Sequence, residues 1–319
     1  MQTKTRRRLR KFGFAILFSF LLLNLAAITQ AYHLTHFYEH GTVNSISDQT
    51  SNTWGQIKVA LIGLKQEKLV GALPDSAYTS IRLKTVDGLM LDAWSIKVVH
   101  PKGTVVIFHG HGSEKSANLS QSNTFNQFGF STLLVDFRAH GQSGGNTCTI
   151  GYREAKDVKS AYDYLRNNGE KHIILYGISL GAATVTKAIA DYHLQPDKVI
   201  LEMPFASLPG TVEAKMRMAG LPAEPIAGLL TFWGGTINGF WAFNMKPKDY
   251  VKQIRCPVLV QWGKKDKGVT ESEIKELFSN ITSPKKLVVY DSSGHQNLCE
   301  NEPDKWEDSM EEFLGIAQP

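Results

Sequence analysis

Ser179 stands in the stretch HIILYGISLGAAT (172–184), with Gly177 two residues before it and Gly181 two residues after. A serine hydroxyl is a weak nucleophile at its ordinary pKa. To attack a carbonyl it needs a base that takes its proton, and the base needs an acid that orients it. Two later stretches carry those residue types. In PVLVQWGKKDKG, Asp266 follows Gly263 by three residues; in KKLVVYDSSGH, His295 follows Asp291 by four. Asp291 is a second candidate for the acid, but it shares one strand end and loop with His295, where pairing is less natural. His109, His111 and His140 also follow apolar runs, but all three precede Ser179. The order nucleophile, acid, base is therefore read as Ser179, Asp266, His295.

Such a reaction passes through a tetrahedral oxyanion that needs two N–H donors. The backbone N–H of Leu180, directly after the serine, is one. The second is expected from the loop His109-Gly110-His111-Gly112-Ser113, whose glycines permit a tight path, and is assigned to the backbone N–H of His111. The His111 ring is the alternative donor.

These residues are useful only if the chain brings them together, and the hydropathy pattern says how. TVVIFH (104–109), STLLVDF (131–137), HIILYG (172–177), KVILEMP (198–204), PVLVQWG (257–263) and KKLVVYD (285–291) are apolar runs of strand length. Helical stretches near 115–128, 152–167, 180–192, 271–279 and 304–314 fall between or after them. Strands apolar on both faces that alternate with helices predict a parallel sheet covered on both sides. SIRLKT and LMLDAWSI, joined through Val86-Asp87-Gly88, predict a leading hairpin. The fold class is α/β: an about eight-stranded, mostly parallel sheet with helices on both faces. GxSxG by itself is a weak pattern. Between a strand and a helix it becomes a strong one, because small residues at −2 and +2 let the two elements approach while the serine is held in an uncommon backbone conformation.

One long connection interrupts the alternation. About 50 residues separate KVILEMP from PVLVQWG and hold Phe232, Trp233, Phe240, Trp241 and Phe243 among glycines. This is too long for a simple loop and is read as a short helical lid at about 205–250. Met216, Met218, Trp233, Phe240 and Trp241 are expected to wall an apolar pocket. An extra pair of core helices is the other reading.

Taken together, TVDGLMLDAW, VVIFHGHG, DFRAHGQSGG, GISLG, VLVQWGKKD and SSGH run in order over two-thirds of the chain. In this the sequence resembles the α/β-hydrolase superfamily, in its serine-aminopeptidase-like, monoglyceride-lipase-like and lysophospholipase-like branch. The resemblance implies the α/β-hydrolase fold and hydrolysis of an ester, thioester or amide through an acyl-enzyme, with no metal and no cofactor. It also implies that Asp136, Arg138, His140, Gly141 and Ser143 shape the loop behind the site rather than react. Thr270 departs from the pattern, standing where the acid loop often has proline.

The formal net charge is +5 over 319 residues, but Lys4, Arg6, Arg7, Arg8, Arg10 and Lys11 carry six positive charges before any acid appears. Removing these six from 35 leaves 29 basic against 30 acidic residues, so the body is near neutral and no nucleic-acid partner is expected. The apolar run FGFAILFSFLLLNLAAI (12–28) follows. Residues 1–31 are read as a signal anchor that keeps the arginines cytoplasmic, or as a signal peptide cleaved after Ala31; the length of the run favours the anchor. Either way the catalytic domain is expected outside the cytoplasm, as a single-pass membrane protein or as a secreted or periplasmic one. Residues 32–74 are read as a linker with an amphipathic helix, and 75–319 as the hydrolase domain. His33, His36 and His40 are treated as ordinary histidines rather than metal ligands. Cys148, Cys256 and Cys299 are widely spaced and form no framework, although one bridge is open to them. The expected function is a serine hydrolase acting on a small-molecule or lipid-like acyl ester or thioester. A peptidase or amidase of the same fold and a non-catalytic binding protein are the alternatives.

Overall fold

The computed structural model describes residues 2–316. In chain order the elements are α1 (Gln2–Thr35), β1 (Phe37–Tyr38), α2 (Ile46–Gln49), α3 (Thr53–Ile62), β2 (Gln66–Glu67), β3 (Thr79–Lys84), β4 (Met90–Ile96), β5 (Thr104–Phe108), α4 (Leu119–Gln127), β6 (Ser131–Val135), α5 (Ala155–Asn167), β7 (Ile173–Ile178), α6 (Leu180–Tyr192), β8 (Lys198–Glu202), α7 (Leu208–Met218), α8 (Ile226–Ile237), α9 (Pro247–Tyr250), β9 (Val258–Gly263), α10 (Glu271–Asn280), β10 (Lys285–Tyr290), α11 (Leu298–Asn301) and α12 (Pro303–Leu314).

Eight strands make the main sheet in the order β10-β9-β8-β7-β5-β6-β4-β3. The hairpin β3–β4 and the β4–β6 pair are antiparallel; the other pairs are parallel. Residues along each inner strand alternate between two cores. Val106 and Phe108 of β5 face a core with Val158 and Ala161 of α5, Val185 and Ile189 of α6, and Ile274 and Leu277 of α10. Val105 and Ile107 face the other, with Phe125 of α4 and Trp306 and Met310 of α12. Both faces are thus covered, which is why these strands read as continuous apolar runs. The strand order reverses between β5 and β7, and a crevice opens at the carboxyl ends of strands at such a point. The loop 109–113 leaves β5 there, and Ser179 ends β7 there.

The N-terminal region differs from the linker expected after residue 31. α1 continues to Thr35, and β1 then pairs with β2. At about 1.5 Å per residue, α1 is about 50 Å long. Its apolar side chains are exposed as far as Leu25, after which Ala27, Ala31 and Thr35 are buried. Those three lie four residues apart on one helix face, and small residues let a second helix approach closely. α8 occupies that place. Trp233 Nε1 donates to Asn24 Oδ1 at 2.9 Å and Asn238 Nδ2 to Thr35 Oγ1 at 3.2 Å. On another side lies α3: Thr29 Oγ1 donates to the Leu61 carbonyl at 3.1 Å, and Gln30 Nε2 to those of Val59 and Ala60.

The long connection after β8 forms α7 and α8. Of the five side chains expected to wall a pocket, Met218 lines the cavity above Ser179. Trp233 turns to α1, Phe240 stacks on Tyr152 with ring centroids 4.5 Å apart and lines a separate small apolar pocket, Met216 packs against the core, and Trp241 is exposed. Trp233 therefore serves the α1–α8 contact rather than the cavity above Ser179. All three cysteines are free.

Candidate active site

Ser179 occupies the single residue between β7 and α6, with φ 53° and ψ −107°. This conformation is costly for a residue with a Cβ, on the order of 1–3 kcal/mol, and is found where function requires it. The flanking glycines are required by contact. A Cβ on Gly177 would lie 2.3 Å from the Gly181 carbonyl carbon, and one on Gly181 would lie 2.2 Å from the Phe108 carbonyl oxygen. The turn is tied from below by the Ser179 N–H, which donates to the Glu202 carbonyl at 2.8 Å. Its Oγ sits at the positive end of the α6 macrodipole.

The three residues singled out in the sequence meet at this point. Ser179 Oγ lies 2.9 Å from His295 Nε2, and His295 Nδ1 lies 2.7 Å from Asp266 Oδ2. Asp266 is buried, and its Oδ1 accepts from the N–H groups of Gly268 and Val269 at 2.7 and 2.9 Å. A carboxylate held by three donors is fixed in orientation, and it sets the His295 tautomer so that Nε2 faces the serine as acceptor. Asp291 lies apart, exposed and paired with Lys264 and Lys305. Thr270, the departure from the family pattern, caps α10: its side chain accepts from the Glu273 N–H, and the Glu273 carboxylate accepts from the Thr270 N–H.

The loop after β5 runs beside the serine, and a Cβ on Gly110 would be 3.7 Å from Ser179 Cβ. Among the described residues, the N–H groups of His111 and Leu180 donate no hydrogen bond within the protein. The His111 ring is committed elsewhere: its Nε2–H donates to the Leu34 carbonyl at 3.1 Å.

Comparison with known proteins agrees with this architecture. The family model described as "Serine aminopeptidase, S33" matches residues 99–231. The uncharacterized protein YqkD of Bacillus subtilis is 27% identical over 216 residues, 66% of this chain and 70% of that one. Protein bem46 of Schizosaccharomyces pombe is 24% identical over 231 residues, 70% of this chain and 72% of that one. The solved esterase Pf2001 of Pyrococcus furiosus superposes with a TM-score of 0.67 at 24% identity, covering 78% of this chain and 96% of that one. The chain has the α/β-hydrolase fold. The partial match to this family model and the likeness to solved esterases support a hydrolase.

Behind the site, the DFRAHGQSGG stretch acts as a set of ties. Asp136 accepts from Lys115 Nζ at 2.6 Å, from the Lys115 N–H and from the Gln142 N–H. Arg138 pairs with Asp157 and Asp87. His140 donates from Nδ1 to the Arg138 carbonyl, and its Nε2 accepts from the Gly112 N–H at 3.1 Å. His109 Nε2 accepts from the Phe137 N–H at 3.1 Å. Burial pushes the His140 pKa down to about 3 and that of His109 to about 4. Both rings are therefore neutral near pH 7, as acceptance at Nε2 requires. Beneath the turn, the buried Glu202 carboxylate accepts from the Tyr176 hydroxyl and from Trp306 Nε1.

A cavity of about 560 Å³ opens above Ser179 and His295. Its wall includes Leu34 of α1, Ile150, Phe205, and Leu208, Val212, Lys215 and Met218 of α7. Leu34 and Lys215 were not singled out in the sequence. Leu34 belongs to an apolar helix whose reach into the site no local pattern announces. Lys215 did carry a signal: with Leu208, Thr211, Val212 and Met218 it occupies one helical stripe, at a place where an apolar residue would be expected.

Proposed function

We propose that this protein is a membrane-anchored serine hydrolase that cleaves carboxylic esters of a lipid-like or other acyl substrate. Ser179 Oγ attacks the ester carbonyl while His295 Nε2 takes its proton. Asp266 holds the imidazolium and its tautomer. The N–H groups of His111 and Leu180 stabilise the oxyanion. Collapse of the tetrahedral intermediate breaks the bond to the alkoxy oxygen, which leaves with the proton from His295. Water then repeats the sequence on the acyl-serine and releases the acid. No step calls for a metal or an organic cofactor.

The observation that carries this reading is the unbroken chain Ser179 Oγ, His295 Nε2, His295 Nδ1, Asp266 Oδ2, with links of 2.9 and 2.7 Å. The apolar cavity wall favours an acyl chain. No aspartate or glutamate lines that cavity to hold a substrate amine, which disfavours an aminopeptidase. In this reading α7 and α8 form the lid, with α7 toward the substrate and α8 toward the anchor. α1 is long and apolar enough to cross a bilayer from Arg6 onward. The cationic start stays cytoplasmic and the catalytic domain lies on the opposite side.

A fluorophosphonate probe tests the proposal. It should label the full-length protein at Ser179, and Ser179→Ala should abolish both labelling and hydrolysis of a series of nitrophenyl esters. Absence of labelling together with absence of cleavage across chain lengths would leave a non-catalytic binding protein of this fold.

A further inference from the structure

The cavity above Ser179 carries charge of one sign. Lys215, Lys265 and Lys267 line it, and among the described residues no carboxylate does. Asp266 is buried behind His295, and its two oxygens are occupied by His295 and by two backbone N–H groups. Lys265 and Lys267 flank Asp266 in sequence, are exposed, and lie at the rim.

Lys215 is the informative member. It lies on the face of α7 that lines the cavity and is half-buried, and its ammonium makes no hydrogen bond or ion pair among the described residues. Among the described residues, the fully buried lysines have anionic partners, and the half-buried Lys198 gives its ammonium to the Phe313 carbonyl. Lys68 meets Glu39 at 2.7 Å, Lys115 meets Asp136 at 2.6 Å, and Lys187 meets Asp191 at 2.7 Å. Desolvation holds the Lys215 pKa below the ordinary lysine value. Among the described residues the group that acts on it in the opposite sense is Cys148, a buried thiol whose own pKa lies well above the usual range and which is therefore neutral. The Lys215 charge also depresses the pKa of the His111 ring, so it stands near the proposed oxyanion loop. A partly desolvated ammonium without a counter-ion carries a cost that an anion would offset, and a cleft lined by one sign of charge attracts the opposite sign.

We propose that Lys215, with Lys265 and Lys267 at the rim, forms the recognition site for an anionic group, a carboxylate or a phosphate, carried by the ester substrate. This rests on the ester-hydrolase reading of Ser179. The neutral part of the substrate lies along Leu208, Val212 and Phe205, and the anion takes the place of the missing counter-ion. Arrival of the anion favours the charged form of Lys215.

Two measurements on the full-length protein test this. The first compares kcat/KM within matched pairs: a nitrophenyl ester of a fatty acid against that of a dicarboxylic acid of equal length, and an acyl glycerol against the acyl glycerol phosphate. The wild-type enzyme should prefer the anionic member of at least one pair, and which pair separates carboxylate from phosphate. Lys215→Met should lower the anionic-to-neutral ratio at least tenfold, and Lys215→Arg should restore most of it. The second measures binding of dodecyl phosphate and of dodecanedioic acid monomethyl ester to Ser179→Ala by calorimetry. Adding Lys215→Met should weaken the bound anion at least tenfold. If Ser179 resists fluorophosphonate while anion binding still depends on Lys215, the ester reading fails and the anion site stands. If Ser179 is labelled and esters are cleaved, but Lys215→Met shifts neither the ratio nor the binding by more than twofold, the anion site is overturned.

Discussion

The Leu34 carbonyl accepts a hydrogen bond from His111 Nε2 at 3.1 Å, across 77 residues of sequence. Leu34 lies in the last turn of the apolar helix α1, and His111 carries the backbone N–H proposed as an oxyanion donor. The His111 ring also meets Phe37 edge-on at 5.4 Å. The end of α1 is thus part of the site's scaffold.

His111→Phe keeps the ring packing and removes the donor, leaving the Leu34 carbonyl without its partner at a cost of about 1–3 kcal/mol. The expected result is a fall in kcat of roughly tenfold, as one oxyanion donor loses its exact placement, with a smaller change in KM. Steady-state kinetics on one nitrophenyl ester checks it. An unchanged kcat would show that α1 does not position the loop.

The strain at Ser179 gives a stability prediction independent of turnover. Glycine accepts φ 53°, ψ −107° more readily than serine or alanine does. Ser179→Gly should therefore melt a few degrees above Ser179→Ala, with both inactive. Gly181→Ala should be strongly destabilised, because its Cβ would lie 2.2 Å from a backbone oxygen in the core. Thermal melts of the three variants decide this. Equal melting of the two Ser179 variants would mean that the turn stores no strain.

Much of this was legible in the sequence, for reasons that can be named. Strands such as TVVIFH and HIILYG are apolar on both faces because both faces are covered, and that pattern survives without any knowledge of contacts. Ser179, Asp266 and His295 were placed by their positions just past strand ends, which share one edge of a parallel sheet. The N-terminal region was less legible. A run of apolar residues states that a helix is greasy, but not that Ala27, Ala31 and Thr35 form a stripe fitted to α8. Trp233 was read as pocket wall for the same reason: aromatic content does not say which neighbour an aromatic faces. Lys215 was visible in principle, as a charge on an apolar stripe.

His140 should make stability depend on pH in a defined sense. Its folded pKa, about 3, lies below the ordinary value of 6.5. Between those limits the unfolded chain binds the proton and the folded chain does not, so stability is lost as pH falls below about 6.5. The loss is about 1.4 kcal/mol per pH unit for this one group. His140→Gln has nothing to titrate. It should be less stable than wild type at pH 7, with the gap narrowing by about that amount per unit between pH 6 and pH 4. Urea unfolding at several pH values measures this. A gap independent of pH would mean that His140 is protonated in the folded protein.

The α1–α8 contact yields a prediction about processing as well as stability. Ala31 is 2% exposed, and Gly234 of α8 is so close that a Cβ built on it would lie 3.9 Å from Ala31 Cβ. Cleavage after Ala31 would remove Ala27, Ala31 and Asn24 from this seam, uncover the apolar face of α8 and take away the acceptor of Trp233 Nε1. A folded protein with that seam intact should retain its N-terminus, and sequencing of the mature protein should begin ahead of Ala27. Ala31→Leu leaves α1 apolar but wedges it from α8, at a cost of about 1–3 kcal/mol. It should lower the melting temperature and, through Leu34 and His111, the turnover as well, while leaving membrane association unchanged. A mature chain that begins at Tyr32 with full activity would show that α1 serves export alone.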